Sequence, residues 1–135
     1  MARHRDRPGH RDRAAGRAPG QRQLRVGEEL RHALATLLAR GDLHEPLLAG
    51  GRVTVTEVGA SPDLRNATVY VMPLGGADRA ETLAALRRAA PYLRRQVAAE
   101  IRLRYMPNLT FEIDNSFDTG ARIDALIGDI EAEDE

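Results

Sequence analysis

Cysteine, lysine and tryptophan are all missing from this 135-residue chain. Without cysteine there can be no disulfide, no thiolate metal site and no cysteine nucleophile. Without lysine there is no G-x-x-x-x-G-K-[ST] phosphate loop, because that loop needs the lysine ammonium on the phosphates. Aromatic residues make up only 4% of the chain, so leucine, valine, isoleucine and alanine must fill the core. Tyr70, Tyr92 and Tyr105 stand isolated, and Phe111 and Phe117 read as core or turn residues. A base-stacking platform of the kind found in aromatic-rich RNA-binding sheets is therefore not expected. His4, His10, His32 and His44 have no zinc-site spacing, so neither a metal nor a cofactor is expected. No apolar run approaches a membrane span. No apolar signal core opens the chain, and Pro8, Gly9, Gly16, Pro19 and Gly20 interrupt any amphipathic targeting helix. The expectation is a soluble cytoplasmic protein.

The net charge is zero, yet the charges are segregated. Residues 1–22 carry seven arginines against Asp6 and Asp12, a surplus of 7 − 2 = +5. Residues 123–135 carry Asp124, Asp129, Glu131, Glu133, Asp134 and Glu135 with no base, a balance of −6. A basic arm suits a polyanion, and an acidic tail suits solvent. Every basic side chain is arginine, whose planar fork grips phosphate in a bidentate way and stacks on bases better than lysine does.

The arm, residues 1–22, has too few large apolar side chains to offset the entropy of ordering and is expected to be disordered. The folded part is expected to begin at Gln23. Leu30, Leu34, Leu37 and Leu38, extended by Val26, have the i, i+4, i+7, i+8 spacing of an amphipathic helix, and Gly41 stops it. Residues 42–51 read as a loop. Val53 to Val58 and Asn66 to Met72 alternate β-branched and polar residues and predict two strands. The Ser61, Pro62, Asp63, Leu64 turn between them is too short for a parallel crossover, so the strands must be antiparallel. Leu83, Leu86 and Ala90 then lie on one helical face, and after Pro91 a second stripe begins with Leu93, Val97 and Ile101. Pro91 falls between, which predicts a helix, a kink and a second helix, with one bent helix as the alternative. Leu109 to Asp114 predict a third strand, parallel to a neighbour because a helical crossover precedes it. Ile123, Leu126, Ile127 and Ile130 predict a short last helix. The expected architecture is α+β, ordered α-β-β-α-kink-α-β, with helices on one face of a three-stranded sheet. Its segments are an arm at 1–22, a domain at 23–118 and a C-terminal helix with acidic tail at 119–135.

No catalytic constellation emerges. There is no G-x-S-x-G and no H-E-x-x-H. Glu28 and Glu29 are adjacent on a helix and point in different directions, so a solvated face explains them. Ser61 and Asp63 fit a turn. No enzyme is expected. The arginines carry more information. Arg87, Arg88, Arg94 and Arg95 flank the predicted kink, and Arg102 and Arg104 follow on the second helix. A kink at Ala89, Ala90 and Pro91 would also expose free N–H groups at the second helix's start, an anion site. Together these would clamp phosphate. A soluble helix with charged flanks would have the same composition.

Several stretches are familiar as a set. They are Arg25 to Leu30, Val53 to Val58, Ser61 to Val71, Arg102 to Phe111, Asp114 to Ser116, and Arg122, Ile123 with Leu126. In this order, from about Gln23 to Ile127, the chain resembles the bacterial ribosome-binding factor A family. The resemblance implies a type II KH-like fold. It implies a non-enzymatic assembly factor that binds the small ribosomal subunit and its 16S rRNA during late maturation and rRNA processing, often linked to growth in the cold. In that family an Ala-x-Gly kink separates the two helices, where this chain has Ala89, Ala90 and Pro91. Proline removes an N–H and the freedom to take positive φ. Arg87, Arg88, Arg94 and Arg95 would then carry more of the RNA contact. The alternatives are a KH-type RNA binder with a different RNA target and a protein-interaction module centred on Ile123, Leu126 and Ile127. A monomer satisfies every feature.

Overall fold

A computed structural model describes residues 18–40 and 43–116. The basic arm up to residue 17, the predicted last helix and the acidic tail lie outside the described residues. A helix, α1, runs from Gln21 to Arg40 and so takes in Gln21 and Arg22, ahead of the expected start at Gln23. Its predicted stripe is the buried one: Val26, Leu30, Leu34, Leu37 and Leu38 all face the core. A short 3-10 turn at Pro46–Gly51 replaces part of the expected loop and buries Leu48.

Strands β1 (Val53–Ala60) and β2 (Asn66–Pro73) form the predicted antiparallel hairpin. Helix α2 (Arg79–Glu100) crosses over to β3 (Asn108–Ile113), which pairs parallel to β2. The sheet order is β1-β2-β3. Alternation sorts its two faces. Val53, Val55, Val58, Val69, Val71 and Phe111 join the leucines of α1 and α2 in one core. Thr68, Tyr70, Thr110 and Glu112 occupy the alternate positions on the opposite face.

Two irregularities set the geometry. The β1–β2 register shifts between Val55 and Glu57, leaving Thr56 as the extra residue of a bulge. At the hairpin tip, Leu64 takes φ 61°, a left-handed conformation unusual for leucine. Its side chain packs against the core and holds it there. The tip is tied internally: the Leu64 N–H donates to the Ser61 carbonyl at 2.9 Å. The Asp63 carboxylate accepts from the Ser61 hydroxyl at 2.7 Å and from the Arg65 N–H at 3.1 Å. Those two bonds, the Ser61 hydroxyl first, hold the Asp63 carboxyl below its ordinary pKa. No helix among the described residues is long and apolar enough to cross a membrane.

Candidate nucleic-acid interface

Helix α2 passes through Pro91 without a break. This corrects the expected division into two helices at Ala89, Ala90 and Pro91 in favour of the one-helix alternative, and no second helix N-terminus offers N–H groups to an anion. The reason is in the packing. Thr82, Ala85, Leu86, Ala89, Leu93 and Val97 are the buried residues, and they form one continuous 3.6-period stripe. The two predicted stripes are in phase, Leu86, Ala90, Leu93 and Val97 standing at i, i+4, i+7 and i+11, so only Pro91 argues for a break; Ala90 is half-buried and Ala89 is the core residue. Pro91 lies on the exposed side. The Arg87 carbonyl, which loses its intrahelical donor there, can therefore reach water. Core packing on both sides of Pro91 outweighs its poor helix propensity.

The same outward face carries the arginines. Arg87, Pro91, Arg94 and Arg95 stand at i, i+4, i+7 and i+8, and all four are exposed. Arg88 lies beside them, also exposed. Arg102 and Arg104 do not continue a helix. At Ile101 the backbone turns extended (φ −121°, ψ 150°), so both belong to the loop between α2 and β3.

The six arginines are not equivalent. Arg88 makes a two-pronged ion pair with Glu45, Nε to Oε2 at 3.0 Å and Nη2 to Oε1 at 2.9 Å. It ties α2 to the turn ahead of β1. The Arg88 hydrogen bonds, then its charge, hold the Glu45 carboxyl below its ordinary range, and Glu45 in turn raises Arg88. Arg94 donates from Nε to the Pro107 carbonyl at 3.1 Å and from Nη2 to the Met106 carbonyl at 2.7 Å. It clamps the loop that feeds β3. By contrast, Arg87, Arg95 and Arg102 have no ion-pair or hydrogen-bond partner among the described residues, and no acid there compensates their charge.

Arg94 is thus a structural strut as well as a surface cation. Arg94→Ala should remove two charge-assisted bonds to carbonyls and cost about 1 kcal/mol, less than buried bonds of this type because the guanidinium is exposed. Hydrogen exchange should speed up selectively at Asn108 and its neighbours in β3. Uniform protection there would show that the clamp is unimportant.

Strand pairing adds a residue the sequence pattern did not single out. The Asn108 N–H donates to the Arg65 carbonyl at 2.9 Å, which joins the hairpin tip to the arginine-bearing loop. Arg65 is exposed. Nothing in the local sequence connects residues 65 and 108; only the parallel β2–β3 register does. Among the described residues, no group of three histidines, aspartates or glutamates could hold a metal ion.

The helix-hairpin-helix-strand order, with its mixed sheet and covering helices on one face, defines a small α+β domain of the KH-like class. The family model "Ribosome-binding factor A" matches residues 22–127, and the chain belongs to that family. A ribosome-binding factor A from Paramagnetospirillum magneticum is 55% identical over 109 residues, covering 81% of this chain and 77% of the relative. Another, from Rhodopseudomonas palustris, is 49% identical over 120 residues, covering 89% and 88%. The crystal structure of ribosome-binding factor A from Thermus thermophilus superposes with a TM-score of 0.60 at 26% identity, covering 70% of this chain and 98% of that one. A Thermus thermophilus model fitted into the cryo-electron microscopy map of a 30S complex has a TM-score of 0.53 at 31% identity, covering 66% and 91%.

Proposed function

We propose that this protein is a cytoplasmic, monomeric ribosome assembly factor. It binds the small ribosomal subunit through its 16S rRNA during late maturation and rRNA processing, and it acts by binding rather than by catalysis. Support for growth in the cold would follow from that role. The observation that carries the reading is the placement of a Thermus thermophilus relative of the same fold in a 30S complex map. The arrangement of this chain's own residues agrees with it. Arg87, Arg95 and Arg102 present uncompensated charge along α2 and its exit loop, which is the form a phosphate-tracking surface takes. Arg88, Arg94 and Arg104 stand among them. In this reading Arg88 and Arg94 mainly hold the surface in shape.

Co-sedimentation with separated ribosomal subunits, at low and moderate salt, tests the reading. The protein should travel selectively with the small subunit. Equal partition, or no binding to either subunit, would overturn the proposal and leave a KH-type RNA binder with a different target. The triple change Arg87→Ala, Arg95→Ala and Arg102→Ala should weaken the association and reduce the slope of log affinity against log salt by about 2, through lost counterion release. Its melting temperature should stay near that of the parent, because exposed unpaired charges contribute little to stability. An unchanged slope would remove these arginines from the interface.

A further inference from the structure

Tyr105 is 68% exposed, a large aromatic ring left out of the core of a chain that has only three tyrosines and two phenylalanines. Tyr70 and Phe111 are buried, and Tyr92 is half-buried. The ring is not there to fill space. Nor is its loop loose. Pro107 is fully buried, and Leu103 and Met106 pack against the core on either side of the exposed pair Arg104 and Tyr105. Arg94 holds the carbonyls of Met106 and Pro107, and Asn108 is bonded to Arg65. Rigid neighbours therefore present a flat aromatic side chain to solvent. The Arg104 guanidinium carbon lies 5.4 Å from the Tyr105 ring centroid, a cation–π arrangement.

The surroundings are cationic. Arg102 and Arg104 precede the ring in sequence, and Arg65 stands at the adjoining hairpin tip. The acid beside Arg65 at that tip, Asp63, already accepts from the Ser61 hydroxyl and the Arg65 N–H. Tyrosine and arginine also serve in protein interfaces, but an apolar partner would leave these guanidinium groups desolvated without a counter-charge. The exposed ring does suit a nucleobase, whose face stacks on tyrosine and guanidinium while its phosphates meet the arginines.

We infer that Tyr105, capped by Arg104, is a stacking post for one unpaired base of the bound RNA, at the end of the phosphate-tracking face of α2. This rests on the RNA-binding reading and adds to it. The α2 arginines are indifferent to strandedness, whereas a stacking post requires a base free of its helix. The protein would thus read an RNA segment that is single-stranded where it passes the α2–β3 loop. The scarcity of aromatics argues only against a multi-base platform, not against a single post.

The test uses the full chain with two probes, an unstructured RNA of about ten nucleotides and a duplex of equal length. Tyr105→Ala should weaken binding to the unstructured RNA roughly tenfold, and Tyr105→Phe should bind within about twofold of the parent. The salt slope should be unchanged in both, since no phosphate contact is lost. Duplex binding should be unaffected. Equal loss on both probes, no loss on either, or a melting temperature lowered by Tyr105→Ala would each overturn the inference. A parent protein that travels with the small subunit but ignores the unstructured RNA would overturn the stacking post alone. One that binds neither overturns the functional reading with it.

Discussion

Gly27→Ala should lower the melting temperature by about 10 °C, a net loss of about 2 kcal/mol. On helix propensity alone the change should help, since alanine is better than glycine inside a helix by roughly 0.5–1 kcal/mol. The tertiary contact reverses that sign. Gly27 is buried in α1 where the helix crosses β1, and a Cβ there would collide with the Val58 carbonyl oxygen. That oxygen belongs to backbone, not to a side chain that could rotate away. Val58 is also in register with Val69 of β2, so β1 cannot yield without disturbing the hairpin. The helix would have to lift, and with it the contact from the Gln23 side-chain amide to the Ala60 carbonyl at 3.0 Å. Thermal unfolding followed by circular dichroism checks this. A variant as stable as the parent, or more so, would mean that α1 does not approach β1 this closely.

Asp114→Ala should be at least as damaging, costing about 3 kcal/mol. Asp114 is 3% exposed, one of the two buried polar side chains among the described residues. Its N–H extends the parallel ladder to the Val71 carbonyl at 2.8 Å. Its carboxylate accepts from the Ser116 N–H at 3.0 Å and the Ser116 hydroxyl at 2.6 Å, organising the chain as it leaves β3. It also accepts from the hydroxyl of Thr56, the extra residue of the β1 bulge. The Thr56–Asp114 bond therefore spans the sheet, joining the two outer strands across β2. Removing the carboxylate would delete three bonds to a charged acceptor at once. Ser116 is exposed and Thr56 half-buried, so the cost is that of the lost charge-assisted bonds, roughly 1.5–3 kcal/mol for such bonds, and of the space left at a buried position. Asp114→Asn should fall between Ala and the parent, because its amide oxygen can still accept from Ser116. Denaturant unfolding ranks the three. If both variants were as stable as the parent, the carboxylate would not be the staple described.

The aliphatic stripe Val26, Leu30, Leu34, Leu37, Leu38 is legible in sequence because a 3.6-residue period admits one burial face whatever it packs on. The strands are legible for the same kind of reason, and the short Ser61–Leu64 turn leaves only an antiparallel pairing. The helical crossover into Leu109 to Asp114 makes β3 parallel. Pro91 is what misleads. Local rules treat an internal proline as a break, but they know nothing of the sheet beneath α2. The buried residues on both sides of Pro91 dock on one surface, and the helix stays whole.

The interface is legible as a composition of arginines and no further. From sequence, Arg87, Arg88, Arg94, Arg95, Arg102 and Arg104 are six like cations. Their division into struts and free charges depends on Glu45 and on the carbonyls of Met106 and Pro107, whose positions follow from how the chain returns on itself. Arg65 and the exposure of Tyr105 depend likewise on the β2–β3 register. Helix α1, the three strands and their order, the family and the basic character of the segment around α2 can be read from the residues alone, because these rest on periodicity, turn length, motif and charge carried within each segment. Which arginines are paired, which glycine must lack a side chain and which aromatic ring faces solvent follow from the folded arrangement. Those properties belong to pairs of residues distant in sequence, and no local pattern encodes the distance between them.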